Sequence, residues 1–402
     1  MNRWITKKIA DIADVVAGGT PSTNNFEFWN GNIGWITPAD LSGYKYRYIA
    51  NGARNISNAG LNNSSAYLLP KNTILLSSRA PIGYVAIAEK ELATNQGFKN
   101  LICDDTQVDY RFMYYWLQLN ADALKSFASG ATFPELSAGT VKKIKVTLPD
   151  MVTQNRIADI LFAYDELIEA NIRRIELLEQ AAQELYKEWF VRFRFPGHEN
   201  AKFENGLPEG WKIKRMNEFC YVTDGTHDTP KPVDVGVPLV TGRCISSGFV
   251  DFDAAYNISE ADHKGIKKRS GLKSGDILFS NIGTVGNCCI VDYDREFSVK
   301  NVIIFKPETM RDTAYLYYWM TSSTMQEIFG AQTNGASQQF VGLTFMRRYK
   351  LLVPKDDILE AFAAKVLPVV EQKRLLHQKN LNLVAQRDML LPRLMSGKLE
   401  VN

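Results

Sequence analysis

The sequence predicts an α+β protein built as a pseudo-twofold internal repeat, in which two homologous modules are separated by two long helices that pair as an antiparallel coiled coil. Three observations predict it. Residues 69–103 are echoed by residues 272–308: Ile74-Leu75 returns as Ile277-Leu278, and Tyr114-Tyr115-Trp116 as Tyr317-Tyr318-Trp319, both 203 positions on. Flanking echoes frame the copies. Trp4 and Gly19-Thr20 answer Trp211 and Gly225-Thr226, Gly130-Ala131-Thr132 answers Gly335-Ala336-Ser337, and Leu148-Pro149 answers Val353-Pro354. Each copy is then followed by a heptad-patterned segment, which places the boundaries at 1–152, 153–195, 196–355 and 356–402.

The elements follow in order. The first module is dense in short β-patterned runs broken by Gly, Pro, Asn and Ser. Residues 73–77 and 84–88 read as strands joined by a turn at Ala80-Pro81-Ile82-Gly83. Residues 109–120 read as a helix, and 141–148 return to strand. From 153 to 192, Ile157, Tyr164, Leu178 and Leu185 share one heptad column with Asn171, while Leu161, Ile168, Ile175, Ala182 and Trp189 fill its neighbour. A polar Asn in such a column fixes register at some cost in stability. The second module repeats the order of the first over about 206–355. In the C-terminal segment Phe362, Val369, Leu376, Leu383 and Leu390 stand seven apart, beside a more polar column of Val366, Lys373, Asn380, Arg387 and Leu394. Asp357 and Glu360 resemble a capping box, and Pro368 should kink or restart the helix. At ~1.5 Å per residue each helix would run roughly 60 Å, and matched seams imply that the two pair.

The bulk numbers exclude several classes. A length of 402 residues allows two to three domains, and 45% hydrophobic with 23% charged residues is ordinary for a globular protein. Asp11 and Asp14 interrupt the N-terminal apolar residues, which argues against a signal peptide, and no apolar run approaches the ~20 residues of a membrane helix. Net charge is only +3, so any nucleic-acid site must be a local patch. Cys103, Cys220, Cys244, Cys288 and Cys289 are odd in number and form no CxxC pair. They read as small core residues in a reducing, cytoplasmic setting.

Catalytic signatures are missing. There is no GxxxxGK[ST] phosphate loop and no GxSxG elbow, and Gly18-Gly19 lacks the spacing of a dinucleotide site. No Asn/Asp-Pro-Pro-aromatic tetrapeptide marks an adenine methyltransferase. His198, His227, His263 and His377 are isolated, and Asp104-Asp105 and Asp356-Asp357 read as solvated caps. The chain is expected to recognise, not to catalyse.

What remains is polar, loop-borne and duplicated. Loop 19–25 offers Thr20, Ser22, Thr23 and Asn24, and its counterpart 225–231 offers Thr226, His227, Thr229 and Lys231. Ser78 and Arg79 end one strand where Asn281 ends its equivalent, and Asn95-Gln96 matches Lys300 and its neighbours. Such hydroxyls and amides suit base edges and phosphate oxygens. Lys45, Arg47 and Lys99 in the first copy, with Arg243, Lys264, Lys267, Lys268 and Arg269 in the second, are candidate phosphate contacts. A single Gly-Thr-Pro string is often only a turn, and a Lys-Lys-Arg run is usually a solvated face. Duplication without catalytic motifs favours DNA recognition.

These residues resemble the specificity subunits of type I restriction-modification systems. The resemblance rests on LLSSRAPIGYVAIAEKELATNQGFKNLI at 75–102, GATFPELS at 130–137, the segment 141–149, and Gln154-Asn155-Arg156-Ile157-Ala158 opening the long helix. It covers essentially the whole chain. The second copy departs, with Asn281-Ile282-Gly283-Thr284 replacing Ser78-Arg79-Ala80-Pro81, so Arg79 is confined to the first copy. The resemblance implies two target-recognition domains, each reading half of a bipartite, asymmetric double-stranded DNA site, with half-sites about one helical turn (~34 Å) apart. The helices would set the spacer and dock two adenine-N6 methyltransferase subunits carrying S-adenosylmethionine. Restriction-translocase subunits would bring ATP and Mg. No cofactor, metal or membrane is implied for this chain itself. Two other readings keep the sequence features: a DNA-recognition component with a different effector, and a scaffold whose modules bind protein.

Overall fold

The computed structural model describes residues 4–128, 134–246, 248–333 and 340–401. The echo between Gly130-Ala131-Thr132 and Gly335-Ala336-Ser337 therefore lies outside the described residues. Helices and strands are mixed in an α+β fold, and the chain divides into two compact units: Met1–Arg173 with Leu376–Asn402, and Arg174–Leu375.

The strands of the first unit are β1 (Ile5–Lys8), β2 (Ala13–Ala17), β3 (Trp29–Ile36), β4 (Tyr48–Ile49), β5 (Arg54–Ile56), β6 (Ile74–Ser78), β7 (Ile82–Ala88), β8 (Leu92–Thr94), β9 (Phe98–Cys103) and β10 (Lys145–Leu148). They form a five-stranded sheet ordered β2-β9-β6-β7-β4, a three-stranded sheet ordered β5-β3-β8, and the pair β1-β10. β6 is buried along its whole length because both of its faces are covered. Alternation sends Ile74 and Leu76 into one apolar cluster, with Ile87, Leu101 and Phe112, and Leu75 into another, with Ala86, Ala88 and Phe98. Three sequence expectations shift here, the first at the turn read over 80–83, where Ile82 and Gly83 already belong to β7. Residues 141–143 end a short helix, Ala138–Lys143, that Ser137 caps through Thr140 N, so the strand begins only at Lys145. The helix read at 109–120 runs Tyr110–Leu119, because Asp109 is its cap and accepts from Arg111 N at 2.7 Å.

The second unit repeats much of this order and adds two short antiparallel pairs, Phe203–Glu204 with Leu207–Pro208 and Ile245–Ser246 with Phe249–Val250. Tyr221–Asp224, Val302–Lys306, Ile277–Ser280 and Cys288–Ile290 form a four-stranded sheet in that order, and Tyr256–Ile258, Val237–Thr241 and Ser298–Lys300 form a three-stranded one. Leu278 pairs with Cys289 where the first unit pairs Leu75 with Ala86. Cys288 and Cys289 are thus buried strand residues. All five cysteines are free thiols, and burial pushes Cys103 and Cys220 up to about 12, which leaves them unreactive at neutral pH.

The Tyr-Tyr-Trp echo is core. In the first unit the Tyr115 hydroxyl donates to Asp165 of the long helix Met151–Tyr186 at 2.5 Å. In the second, the Tyr318 ring packs 5.9 Å from Phe362 of the long helix Asp356–Met395. Both heptad columns of both long helices avoid exposure throughout. Within the first unit Arg387 pairs with Asp165 at 2.5 Å and the Asn171 amide donates to Asn380 at 2.8 Å. Within the second, Lys373 pairs with Glu179, and Trp189 packs on Phe362 at 5.9 Å. In each unit the partner's number falls as the residue number rises, so the helical segments run antiparallel there. The polar column thereby finds partners for all of its charged and amide members.

Pro368 does not restart the second long helix, which continues from Asp356 to Met395. The proline is exposed, and Phe362, Ala363, Val366, Val369 and Val370 hold both sides of it on one apolar core. Nor do Asp357 and Glu360 form a capping box. The helix begins one residue earlier, Asp357 accepts from the adjacent Ile358 N, and Glu360 turns to Arg311 at 3.3 Å.

Candidate nucleic-acid interface

In the first unit the chain leaves β2 into loop 18–25, which is braced through its own carbonyls. The Trp35 indole donates to Gly19 O at 2.9 Å and the Trp29 indole donates to Ser22 O at 3.1 Å. The two rings meet edge to face at 5.0 Å. Gly19 N donates to Thr94 O, and the Thr20 hydroxyl reaches the Gln96 side chain, which ties this loop to the turn after β8. A Cβ on Gly18 would fall 2.1 Å from the Asn95 carbonyl, so only glycine fits that crossing. Thr20, Ser22, Thr23, Asn24 and Gln96 are exposed on this frame, with Asn95 half-buried beneath them.

In the second unit the bracing is polar and charged. His227 lies between Asp224 (2.7 Å) and Asn301 (3.0 Å), Arg269 pairs with Asp224, and the Lys300 ammonium donates to Thr229 at 2.5 Å. The helix Glu260–Ser270 carries the basic run, and His263 anchors it: one ring nitrogen meets Ser298 at 2.9 Å and the other Glu296 at 3.0 Å. Lys267 also pairs with Glu296, and these two hydrogen bonds hold that carboxyl below its usual range, Lys267 contributing most. Lys264, Lys268, Lys231 and Arg243 are exposed, as is Lys45 in the first unit.

The structure corrects five of the candidate contacts. Arg47 is 5% exposed: Glu169 binds its guanidinium at 2.9 and 3.1 Å, and it lies 4.2 Å over the Phe162 ring. Burial alone would lower its affinity for the proton, but Glu169 outweighs that and raises it. It is a core ion pair. Lys99 is buried against Ser78 Oγ (3.2 Å) and Glu135 (2.9 Å). Ser78 itself is buried, donating to Gly97 O at 3.0 Å. Asn281 is buried on Val341 O, and buried Thr226 accepts from Asp228 N. All five are buried, so none presents an edge to solvent. Arg79 remains half-exposed, 3.9 Å from Glu135.

One equivalence also moves by a residue. Ala17 pairs with Lys99 of β9, Asp224 pairs with Ile303 of the matching strand, and Gly225 makes the close crossing that Gly18 makes, its Cβ position 2.2 Å from Val299 O. Thr20 therefore corresponds to His227, and Gly19 to Thr226. The offset of 207 between Trp4 and Trp211 carries this register, whereas matching the letters Gly-Thr misses it. Sequence reasoning also missed Trp29 and Trp35 as braces, and Arg54, exposed and 3.5 Å over the Trp29 ring. A tryptophan that donates to a loop carbonyl leaves no spacing signal.

Among the described residues no cluster of three or more His, Cys, Asp or Glu is placed to hold a metal ion, and no helix is long and apolar enough to cross a membrane. Comparison with known proteins gives consistent matches. Residues 1–180 match the family model described as the type I restriction modification DNA specificity domain. The chain is 34% identical over 415 residues to the type I restriction enzyme MjaIX specificity subunit of Methanocaldococcus jannaschii, covering 99% of this chain and 94% of that one. It is 28% identical over 202 residues to the EcoR124I/EcoR124II specificity subunit of Escherichia coli, covering 47% and 48%. A crystal structure of the S subunit of a type I restriction-modification system from M. genitalium shares the fold, with a TM-score of 0.60 at 17% identity and coverage of 98% and 96%.

Proposed function

The chain belongs to the specificity subunits of type I restriction enzymes, and from that membership we propose that each of its two units reads one half of a bipartite, asymmetric DNA site. The observation that carries this reading is the pair of loop frames. Both units cross the chain at a glycine, Gly18 or Gly225, and lay the following loop against the turn at Asn95-Gln96 or Lys300-Asn301. The frames agree while the side chains on them differ, which is what two readers of different half-sites require.

The long helices act as the spacer in this proposal, their antiparallel registers fixing how far apart the half-sites lie. Their exposed apolar residues, among them Leu167, Leu177, Leu381 and Met389, supply surface for two methyltransferase subunits. Those subunits bring S-adenosylmethionine and methylate adenines taken out of the stack. Restriction subunits bring ATP and Mg. This chain supplies the address.

Modified-base sequencing of DNA from cells co-expressing the chain with its neighbouring methyltransferase tests the reading. A split motif methylated in both halves, present only with this chain, is the expected result. Exchanging residues 1–150 for those of another family member should change one half only, and one heptad inserted after Leu178 should lengthen the gap or abolish binding. A joint change of both halves, or an untouched gap and affinity, would remove the modular reading or the spacer respectively.

A further inference from the structure

We propose that Arg54 reads a guanine in the half-site addressed by the first unit, presenting its guanidinium fork to the O6 and N7 edge. The assignment rests on the half-site reading above and deepens it by one residue. Arg54 begins β5 and is exposed, with its guanidinium carbon 3.5 Å from the centroid of the Trp29 ring. Trp29 is itself 6% exposed and doubly fixed, edge-on to Trp35 and donating to Ser22 O. The indole that holds the recognition loop is thus also the surface on which the arginine lies.

Several of the other cations near the loops are already committed, and none of the exposed lysines offers a planar fork. Arg47 and Lys99 are buried in ion pairs, Arg79 leans toward Glu135, Arg269 is taken by Asp224 and Lys267 by Glu296. Among the described residues the Arg54 guanidinium has no carboxylate or carbonyl partner. The indole lies against the guanidinium at 3.5 Å, while its five N–H donors make no hydrogen bond among the described residues. A phosphate needs only a positive charge nearby. A guanidinium braced on a fixed ring before binding suits bidentate recognition of a guanine edge, because part of the ordering cost is already met.

The second unit lacks the device. Trp35 pairs with Arg54 across β3 and β5, and Leu239 pairs with Tyr256 at the corresponding place, so the string Arg-Asn-Ile becomes Tyr-Asn-Ile. The effect of removing Arg54 should therefore be confined to one half-site.

The test uses the complex with the methyltransferase, comparing wild type with Arg54→Ala and Arg54→Lys by modified-base sequencing and by binding to duplexes substituted at each guanine, at two salt concentrations. In Arg54→Ala, discrimination at one G·C position of one half-site should fall about 5- to 150-fold, the worth of a bidentate contact. The other half-site should be unchanged. Arg54→Lys should not restore discrimination, because an ammonium cannot stack flat or bind in a fork. An unchanged motif overturns the assignment. So does a uniform loss of affinity across all sequences with a shallower salt dependence, which marks a phosphate contact. A wild-type complex that confers no split motif removes the half-site reading itself, and Arg54 with it.

Discussion

In the first unit the loop that follows β2 is held by two indole N–H groups and a hydroxyl–amide contact, whereas in the second the equivalent loop is held by His227, Asp224, Arg269 and Lys300. The backbone crossing is the same. The glycine approach, the pairing with the returning strand and the parallel contact between β3 and β8, or between Val237–Thr241 and Ser298–Lys300, recur in both. Bracing chemistry is therefore free to diverge on a fixed frame. Neutral bracing resists salt and acid, while ionic bracing couples the loop to both. The two units should respond differently to the same perturbation, and four experiments separate them.

The largest effect is expected at Arg47, a candidate contact that the first unit buries, set against the exposed Arg243 of the second. Arg47→Ala leaves Glu169 without its partner and empties the space over Phe162, at a cost of about 3–5 kcal/mol. Exposed Arg243→Ala, in the second unit, should cost no more than about 0.5 kcal/mol. Urea unfolding followed by tryptophan fluorescence measures both. An Arg47→Ala protein of full stability but weakened DNA binding would return Arg47 to the contact surface. Next in size is Trp35→Phe, which keeps an aromatic ring beside Trp29 and deprives Gly19 O of its buried donor, worth about 1–3 kcal/mol. Binding to the first half-site should weaken while the second keeps its preference. Equal weakening of both would mean that the brace serves general stability only.

The sequence carried the repeat because core positions are constrained twice. Leu75 and Leu278, or Tyr115 and Tyr318, occupy matching buried places, and burial limits what can replace them. Heptad columns were legible for the same reason, down to Asn171, whose partner Asn380 sits in the polar column of the other helix. The interface was legible only as loops. Polar residue type does not distinguish Lys99, turned inward to Glu135, from Lys264, turned to solvent. That difference depends on which face of a strand or helix meets another element. Arg54 escaped notice because its role comes from Trp29, which is distant in sequence and adjacent only through the pairing of β3 with β5.

A smaller effect sharpens the contrast from the second unit's side. Asp224 is 13% exposed and engages both His227 and Arg269, and Arg269 is 55% exposed. Asp224→Asn should release Arg269, with little change in stability because a half-exposed pair contributes only about 0–1 kcal/mol. The released arginine is then available to phosphate, so the dependence of log affinity on log salt should steepen by about one. Affinity titrations of the complex from low to moderate salt read this directly. No change in slope would place Arg269 away from the DNA.

The smallest effect is a response to acid in the second unit's helix Glu260–Ser270 that the first unit's loop 18–25 lacks. Glu296 is an exposed carboxyl whose proton affinity is lowered by hydrogen bonds from Lys267 and then His263. A carboxyl that titrates lower in the folded protein stabilises it fully above its ordinary value of 4.5, and that contribution fades as pH falls below it. The helix Glu260–Ser270 should lose part of its anchorage in that window. Loop 18–25 has no comparable dependence, because Trp29, Trp35, Thr20 and Gln96 hold it with groups that do not titrate there. Hydrogen exchange at pH 5.0 and about 3.5, corrected for the intrinsic rate, should show protection falling in the helix and not in the loop. Glu296→Gln should lower the protection at the higher pH and abolish most of the difference between the two. If both segments loosened together in wild type and variant alike, acid would be acting on the whole fold, and the contrast between neutral and ionic bracing would not extend to stability.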